Sequence, residues 1–121
     1  LNGHRILSPT TVKLMTTVPK GLEAFGRTPG WDNSSDYSSN LGDMLSKSAY
    51  GHTGFTGTMI DIDPENKLAI ILLTNSVHPD GHTSVIRLRA VVANAVAGAI
   101  TNDKHTQHYL DRMDLFEKEQ P

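Results

Sequence analysis

The segment Ala49-Tyr50-Gly51-His52-Thr53-Gly54-Phe55-Thr56-Gly57-Thr58 gathers an imidazole, several hydroxyls and three glycines into one short stretch. His52 carries a ring that can donate to an anionic substrate group or join a proton network, and Thr53 carries a hydroxyl that donates and accepts. Gly54 has no side chain, so a ligand can approach the backbone there. A strand of this kind at the rim of a sheet can hydrogen-bond an extended acyl substrate as if it were one more strand. A histidine is largely neutral at pH 7 unless perturbed, so its attraction for a carboxylate is weaker and more pH-dependent than a lysine's.

Other spacings carry less. Gly51, Gly54 and Gly57 would suit a phosphate cradle only if they led into a helix whose N-terminus receives the anion, and here they lead into a strand. They read instead as turn glycines. His78 and His82 are four apart, but Pro79 and Gly81 between them mark a loop, and His105 and His108 lie in a polar tail. Zinc needs at least a third ligand in place, so surface histidines are expected, with no metal site and no cofactor. The chain has no cysteine, which excludes disulfides and thiol nucleophiles.

The elements that must position His52 and Thr53 follow from punctuation and periodicity. Ser8-Pro9 opens a short helix, with serine as N-cap and proline at the first helical position, and Pro19 with Gly21 ends it. Residues 22–27 are expected to form a short strand. Residues 28–47 are polar and rich in Gly, Ser, Asp and Asn, with Trp31 and Tyr37 as anchors, and read as either a functional loop or a surface excursion. Thr58-Met59-Ile60-Asp61-Ile62-Asp63 alternates with period two, placing Ile60 and Ile62 on one face and Asp61 and Asp63 on the other. Pro64-Glu65-Asn66 supplies a turn, with Asn66 suited to a left-handed conformation. Leu68-Ala69-Ile70-Ile71-Leu72-Leu73 completes a β-hairpin.

A helix follows over 83–100, with Val85, Leu88, Val92, Val96 and Ala99 as its apolar stripe and Arg87 and Arg89 on a solvated edge. The fold class is therefore α+β: an antiparallel sheet with a long C-terminal helix packed on one face. The second hairpin strand is apolar throughout, so both its faces call for cover. The helix covers one face, and nothing else in the sequence is long and apolar enough for the other. That layer is expected from elsewhere in the gene or from a second copy, making a homo-oligomer one way to cover the exposed sheet face.

At 121 residues and a net charge of −2, the chain is the size of one globular domain. Charges of both signs are mixed along it, with no basic stripe for nucleic acid and no polybasic cluster for anionic lipid. Its longest apolar run falls far short of the about 20 residues needed to cross a bilayer. The first residue is Leu1, with no signal-peptide pattern, so either the N-terminus was processed or the sequence starts inside a longer gene; compartment is not legible.

His52-Thr53-Gly54, followed by Phe55-Thr56-Gly57 and a hairpin, resembles the third motif of the serine β-lactamase and penicillin-binding-protein superfamily, in the class C-related, esterase-like branch. That motif is usually Lys-Thr-Gly, with His-Thr-Gly a variant. Ile6-Leu7-Ser8-Pro9-Thr10-Thr11-Val12, Gly30-Trp31, Asp63-Pro64-Glu65 and Leu72-Leu73-Thr74-Asn75 extend the resemblance in the right order over roughly residues 1–100. The resemblance implies a partial β-lactamase/transpeptidase-like fold, with residues 1–101 as the C-terminal portion of a serine hydrolase domain and 102–121 as a polar tail or marginal helix. It implies a catalytic role for His52, substrate binding by Thr53, Gly54 and Phe55, and an oxyanion hole half formed by the Phe55 N–H. Substrates would be β-lactams, D-alanyl peptides or small esters, and histidine in place of lysine favours the peptidase- or esterase-like members. Parents of this type are often found outside the cytoplasmic membrane.

The superfamily's nucleophile lies in Ser-x-x-Lys. No Ser-x-x-Lys occurs here: Thr10-Thr11-Val12-Lys13 has the spacing with the wrong first residue. Ser38-Ser39-Asn40 matches the family's second motif in form, but only a short loop separates it from His52, and it reads as coincidence. The nucleophile is thus expected upstream of Leu1, and the 121 residues alone are expected to be inactive. A non-catalytic, self-associating or peptide-binding module that uses the sheet edge is the alternative.

Overall fold

A computed structural model describes residues 2–100. Helix α1 (Pro9–Thr16) starts as its sequence dictates: the Ser8 hydroxyl accepts from the Thr11 amide at 3.1 Å, and Pro9 sits in the first turn. None of its residues is buried, and Ile6, Leu7, Val12, Leu14 and Met15 of this arm all face solvent.

The expected strand over 22–27 does not form. Glu23–Phe25 makes a single 3-10 turn, closed by Gly26 in a left-handed conformation with φ 59°. The segment lacks period-two alternation, and a left-handed residue ends any extended run. A Cβ on Gly26 would collide with the backbone of Ser34, whose amide, with that of Asn33, donates to the Gly26 carbonyl at 2.9 Å.

The sheet has three antiparallel strands in the order β1 (Tyr50–Thr53), β2 (Met59–Asp63), β3 (Leu68–Leu72). His52 lies opposite Ile60, and Ile60 opposite Ile71. Beyond β1, Asp32 is the one described residue that pairs with the sheet, exchanging both backbone bonds with Gly51 at 2.9 Å. The hairpin is the one expected, with one difference at its turn. Lys67 takes the left-handed conformation (φ 51°), while Asn66 turns its side-chain amide to Asp63 Oδ2 at 2.8 Å.

Period-two alternation sets two faces of β2 without saying which is inside, and it is the aspartate face that is buried. Met59, Asp61 and Asp63 are buried, whereas Ile60 and Ile62 lie half-buried on the other face beside exposed Ala69 and Ile71. The core lies between the Met59–Asp61–Ile70 face and helix α2 (Ile86–Gly98), with Leu41, Leu45 and Ala49 of the polar loop filling the gap. That loop is therefore part of the packing rather than a surface excursion. It is held by Asn94, which accepts from the Asp43 amide at 2.7 Å and the Met44 amide at 3.3 Å.

Helix α2 is shorter than the span 83–100 and is rotated from the expected stripe. Arg89, Ala93 and Ala97 are its buried residues; Val92 and Val96 pack at the core's margin, and Leu88 is exposed. The small alanines let the loop approach the helix axis closely. Among the described residues no second layer covers the Ile60–Ile71 face. No described helix is long and apolar enough to cross a membrane. The tail 102–121, with His105 and His108, lies outside the described residues.

Candidate functional site

β1 is the edge strand that carries His52 and Thr53. Its hydrogen bonds alternate between its two sides, as antiparallel geometry requires. The Gly54 amide bonds to the Thr58 carbonyl at 2.8 Å, so His52 also bonds toward β2 while Gly51 and Thr53 direct their backbone groups outward. Asp32 takes up those of Gly51. Thr53 lies one step further along, past the end of that bridge, and its outward N–H meets no acceptor among the described residues.

His52 is exposed, on the same face as Ile60 and Ile71, and its Nδ1 lies 2.8 Å from the Thr53 carbonyl oxygen. After Thr53 the chain turns through Gly54-Phe55-Thr56-Gly57, closed by the Gly57 amide donating to the Gly54 carbonyl at 3.0 Å. A Cβ on Gly54 would overlap the Thr58 hydroxyl, so any side chain there would have to displace it. Phe55 is 91% exposed, and its amide has no acceptor among the described residues. His52, Thr53, Gly54 and Phe55 thus share one open corner of the sheet. The cleft of about 460 Å³ lined by Asn33, Ser38, Leu41, Leu45 and Ala49, among others, includes none of them.

Behind this corner lies a buried polar centre that reading the sequence missed. Asn40 donates its side-chain amide to Asp61 Oδ1, and both side chains are fully enclosed. Arg89, expected on a solvated edge, is buried, and its Nη2 donates to the Gly54 carbonyl at 2.9 Å. Burial pushes the Asp61 carboxyl up to about 7, while the Asn40 hydrogen bond and the positive charge of Arg89 pull it back. Gly51 makes the centre possible: a Cβ there would overlap Asp61 Oδ1 and stand 2.7 Å from the Ile60 carbonyl oxygen. Asp61 Oδ2, Asn40 Oδ1 and Arg89 Nε have no partner among the described residues.

Asp63, two residues along β2, is treated differently. Burial raises its carboxyl, but donors from Ser46 and Asn66 outweigh this and hold it below the ordinary range. Asp32 pairs with Arg27 at 3.3 Å and accepts from the Ser35 hydroxyl at 2.7 Å, which steadies the residue that bridges to Gly51. On the opposite face, Trp31 and Tyr50 meet with ring centroids 5.3 Å apart. No group of three metal-ligating side chains occurs among the described residues.

An α+β unit with a His-Thr-Gly edge strand leading into a glycine turn and hairpin matches a known family. The sequence model described as Beta-lactamase covers residues 1–94, and the chain belongs to that family. Among its relatives is a protein of Escherichia coli O157:H7 named "Putative D-alanyl-D-alanine carboxypeptidase", 40% identical over 76 residues. A protein of the same name from Escherichia coli strain K12 is 37% identical over 76 residues, and one from Salmonella gallinarum is 43% identical over 51. The two Escherichia coli matches take in 61% of this chain but 17% of each relative, and the Salmonella match 40% and 12%. The chain thus corresponds to a small part of the length of these relatives. No solved structure matches it.

Proposed function

We propose that these residues are the substrate-strand portion of a serine acyl hydrolase that works through an acyl-enzyme. Its substrates are β-lactams, D-alanyl peptides or small esters. The observation that carries this reading is the open corner: a strand edge at Thr53 next to a Phe55 amide that meets no acceptor among the described residues. An extended acyl substrate pairs along Thr53, His52 receives its anionic end, and the Phe55 N–H receives the developing oxyanion. The second oxyanion donor and the nucleophile come from a Ser-x-x-Lys segment that these 121 residues do not contain. The carboxypeptidase name carried by the relatives supports a D-alanyl peptide among the candidate substrates. Losing one oxyanion donor typically costs about 2.7–4 kcal/mol of transition-state stabilisation, and without the nucleophile no acyl-enzyme forms.

The test has two arms. The 121-residue chain, assayed with a chromogenic β-lactam, an aryl ester and a D-alanyl-D-alanine peptide, is expected to stay at background. The natural polypeptide that contains this sequence together with a Ser-x-x-Lys is expected to turn over at least one of the three. Turnover by the 121-residue chain, or inactivity of that polypeptide on all three, overturns the reading.

A second reading rests on the uncovered sheet face, where Ile71 is 65% and Leu73 79% exposed. In it the chain is a non-catalytic module that buries this face against a second copy or a peptide. Sedimentation separates the two, since a monomer at micromolar concentration removes the motive for self-association.

A further inference from the structure

The amide proposed to receive the oxyanion does not stand alone. The Phe55 N–H and the Gly54 C=O belong to one planar trans peptide, so they point in opposite directions and turn together. The Gly54 oxygen is held twice, by the Gly57 amide at 3.0 Å and by Arg89 Nη2 at 2.9 Å. The Gly57 bond closes the turn but leaves the peptide free to rock about it, because a turn residue with no side chain has soft flanking dihedrals. The second donor comes from a different element, the buried side of helix α2, and removes that freedom. It is also charged, and a charge-assisted bond to a carbonyl polarises the whole amide, strengthening its N–H as a donor.

Arg89 reaches Gly54 from within the core, flanked on α2 by buried Ala93 and close enough to Asp61 of β2 to feel its charge. Asp61 is in turn held by Asn40. A surface arginine would lose most of its rotamer freedom in making such a bond, whereas packing has already fixed this one.

We propose that Arg89 is a positioning residue for the Phe55 amide: by gripping the far end of the same peptide it aims and polarises the N–H for an anionic oxygen. The functional part of this rests on the serine-hydrolase reading above, while the mechanical part is a property of this chain alone. Arg89 touches no substrate and takes no part in bond making.

Isotope-labelled NMR of the full chain tests it. A through-hydrogen-bond coupling between Arg89 Nη2 and the Gly54 carbonyl carbon is expected in the unsubstituted protein, and its absence overturns the proposal without any variant. Arg89→Met is expected to move the Phe55 and Gly57 amide resonances while those of Ile62 and Leu68 stay in place, and Arg89→Lys to return them part of the way. Unmoved Phe55 and Gly57 resonances in a folded Arg89→Met overturn the proposal. In a turnover-competent polypeptide the same Met variant is expected to lower kcat about tenfold or more, with KM nearly unchanged. An unchanged kcat defeats the positioning role. Should no such polypeptide turn over, the hydrolase reading fails while the NMR results still decide whether Arg89 aims the amide.

Discussion

Asn40 donates its side-chain amide to the Asp61 carboxylate in the middle of the packed face, where neither residue meets solvent. A carboxyl in that position keeps its proton to higher pH than it would in the unfolded chain, and burial raises Asp61 from an ordinary 3.8 to about 7. Between those values the folded state binds more protons than the unfolded one, so this group's contribution to stability falls as pH rises from 4 to 7 and is flat above. The full effect is on the order of 4 kcal/mol. Asp63 has the opposite sign: its depressed carboxyl stabilises above its unfolded value and loses that contribution as pH falls below about 4. Asp61→Asn is therefore expected to flatten the urea-unfolding free energy between pH 4 and 7 while the acid loss below pH 4 persists. An unchanged slope in the variant would contradict the assignment to Asp61.

Gly51 belongs to the same centre, although it reads in the sequence as part of the chemical motif. A side chain there would strike both Asp61 and the Ile60 carbonyl, and neither can withdraw from a packed strand pair. Gly51→Ala is expected to lose about 1–3 kcal/mol, the usual cost of overpacking. Denaturant unfolding measures it. Gly30→Ala, at a glycine with open space around it, serves as the control and should change little.

Asn94 fastens the polar loop to helix α2 by accepting from two consecutive loop amides. Asn94→Ala leaves both without that acceptor, and about 1–3 kcal/mol of destabilisation is expected. Faster hydrogen exchange at the Asp43 and Met44 amides should accompany the loss. Exchange that rises equally in β2 would mean that the loop and the sheet unfold as one unit.

The hairpin, the helix after it and the His52–Phe55 motif were legible because each is written in local signals: period-two alternation, turn residues and a short distinctive string. What was hidden depended on tertiary partners. The alternation of Ile60, Asp61, Ile62 and Asp63 defines two faces but does not say which is inside. Polarity alone points the wrong way, because Asn40 and Ser46 from the loop and Asn66 from the turn donate to the aspartates, and the charge of Arg89 acts on Asp61. Arg89 was misplaced for the same reason. The one available clue was its spacing of four and eight from Ala93 and Ala97, a stripe of small residues that permits close packing. Residues 22–27 failed as a strand because Gly26 takes a left-handed turn, which composition does not reveal.

That inversion of faces makes a prediction at two adjacent residues of β3. Ile70 is 6% exposed and packs in the core, whereas Ile71, next to it, is 65% exposed and points to the uncovered side with Ile60. Ile70→Ala should cost about 2–5 kcal/mol, because it removes buried methylenes and leaves a cavity that packed neighbours close only in part. Ile71→Lys should change the stability of the chain by less than about 0.5 kcal/mol, as surface substitutions do. If the open face is where copies associate, the lysine also desolvates poorly against an apolar partner, and the chain should sediment as a monomer at concentrations where the unsubstituted protein does not. If the face is instead covered by other parts of a longer polypeptide, Ile71→Lys should be silent in the 121-residue chain and strongly destabilising in that polypeptide. Equal losses from the two substitutions in the isolated chain would show that the face with Ile71 is already packed, and the assignment of inner and outer faces would have to be reversed.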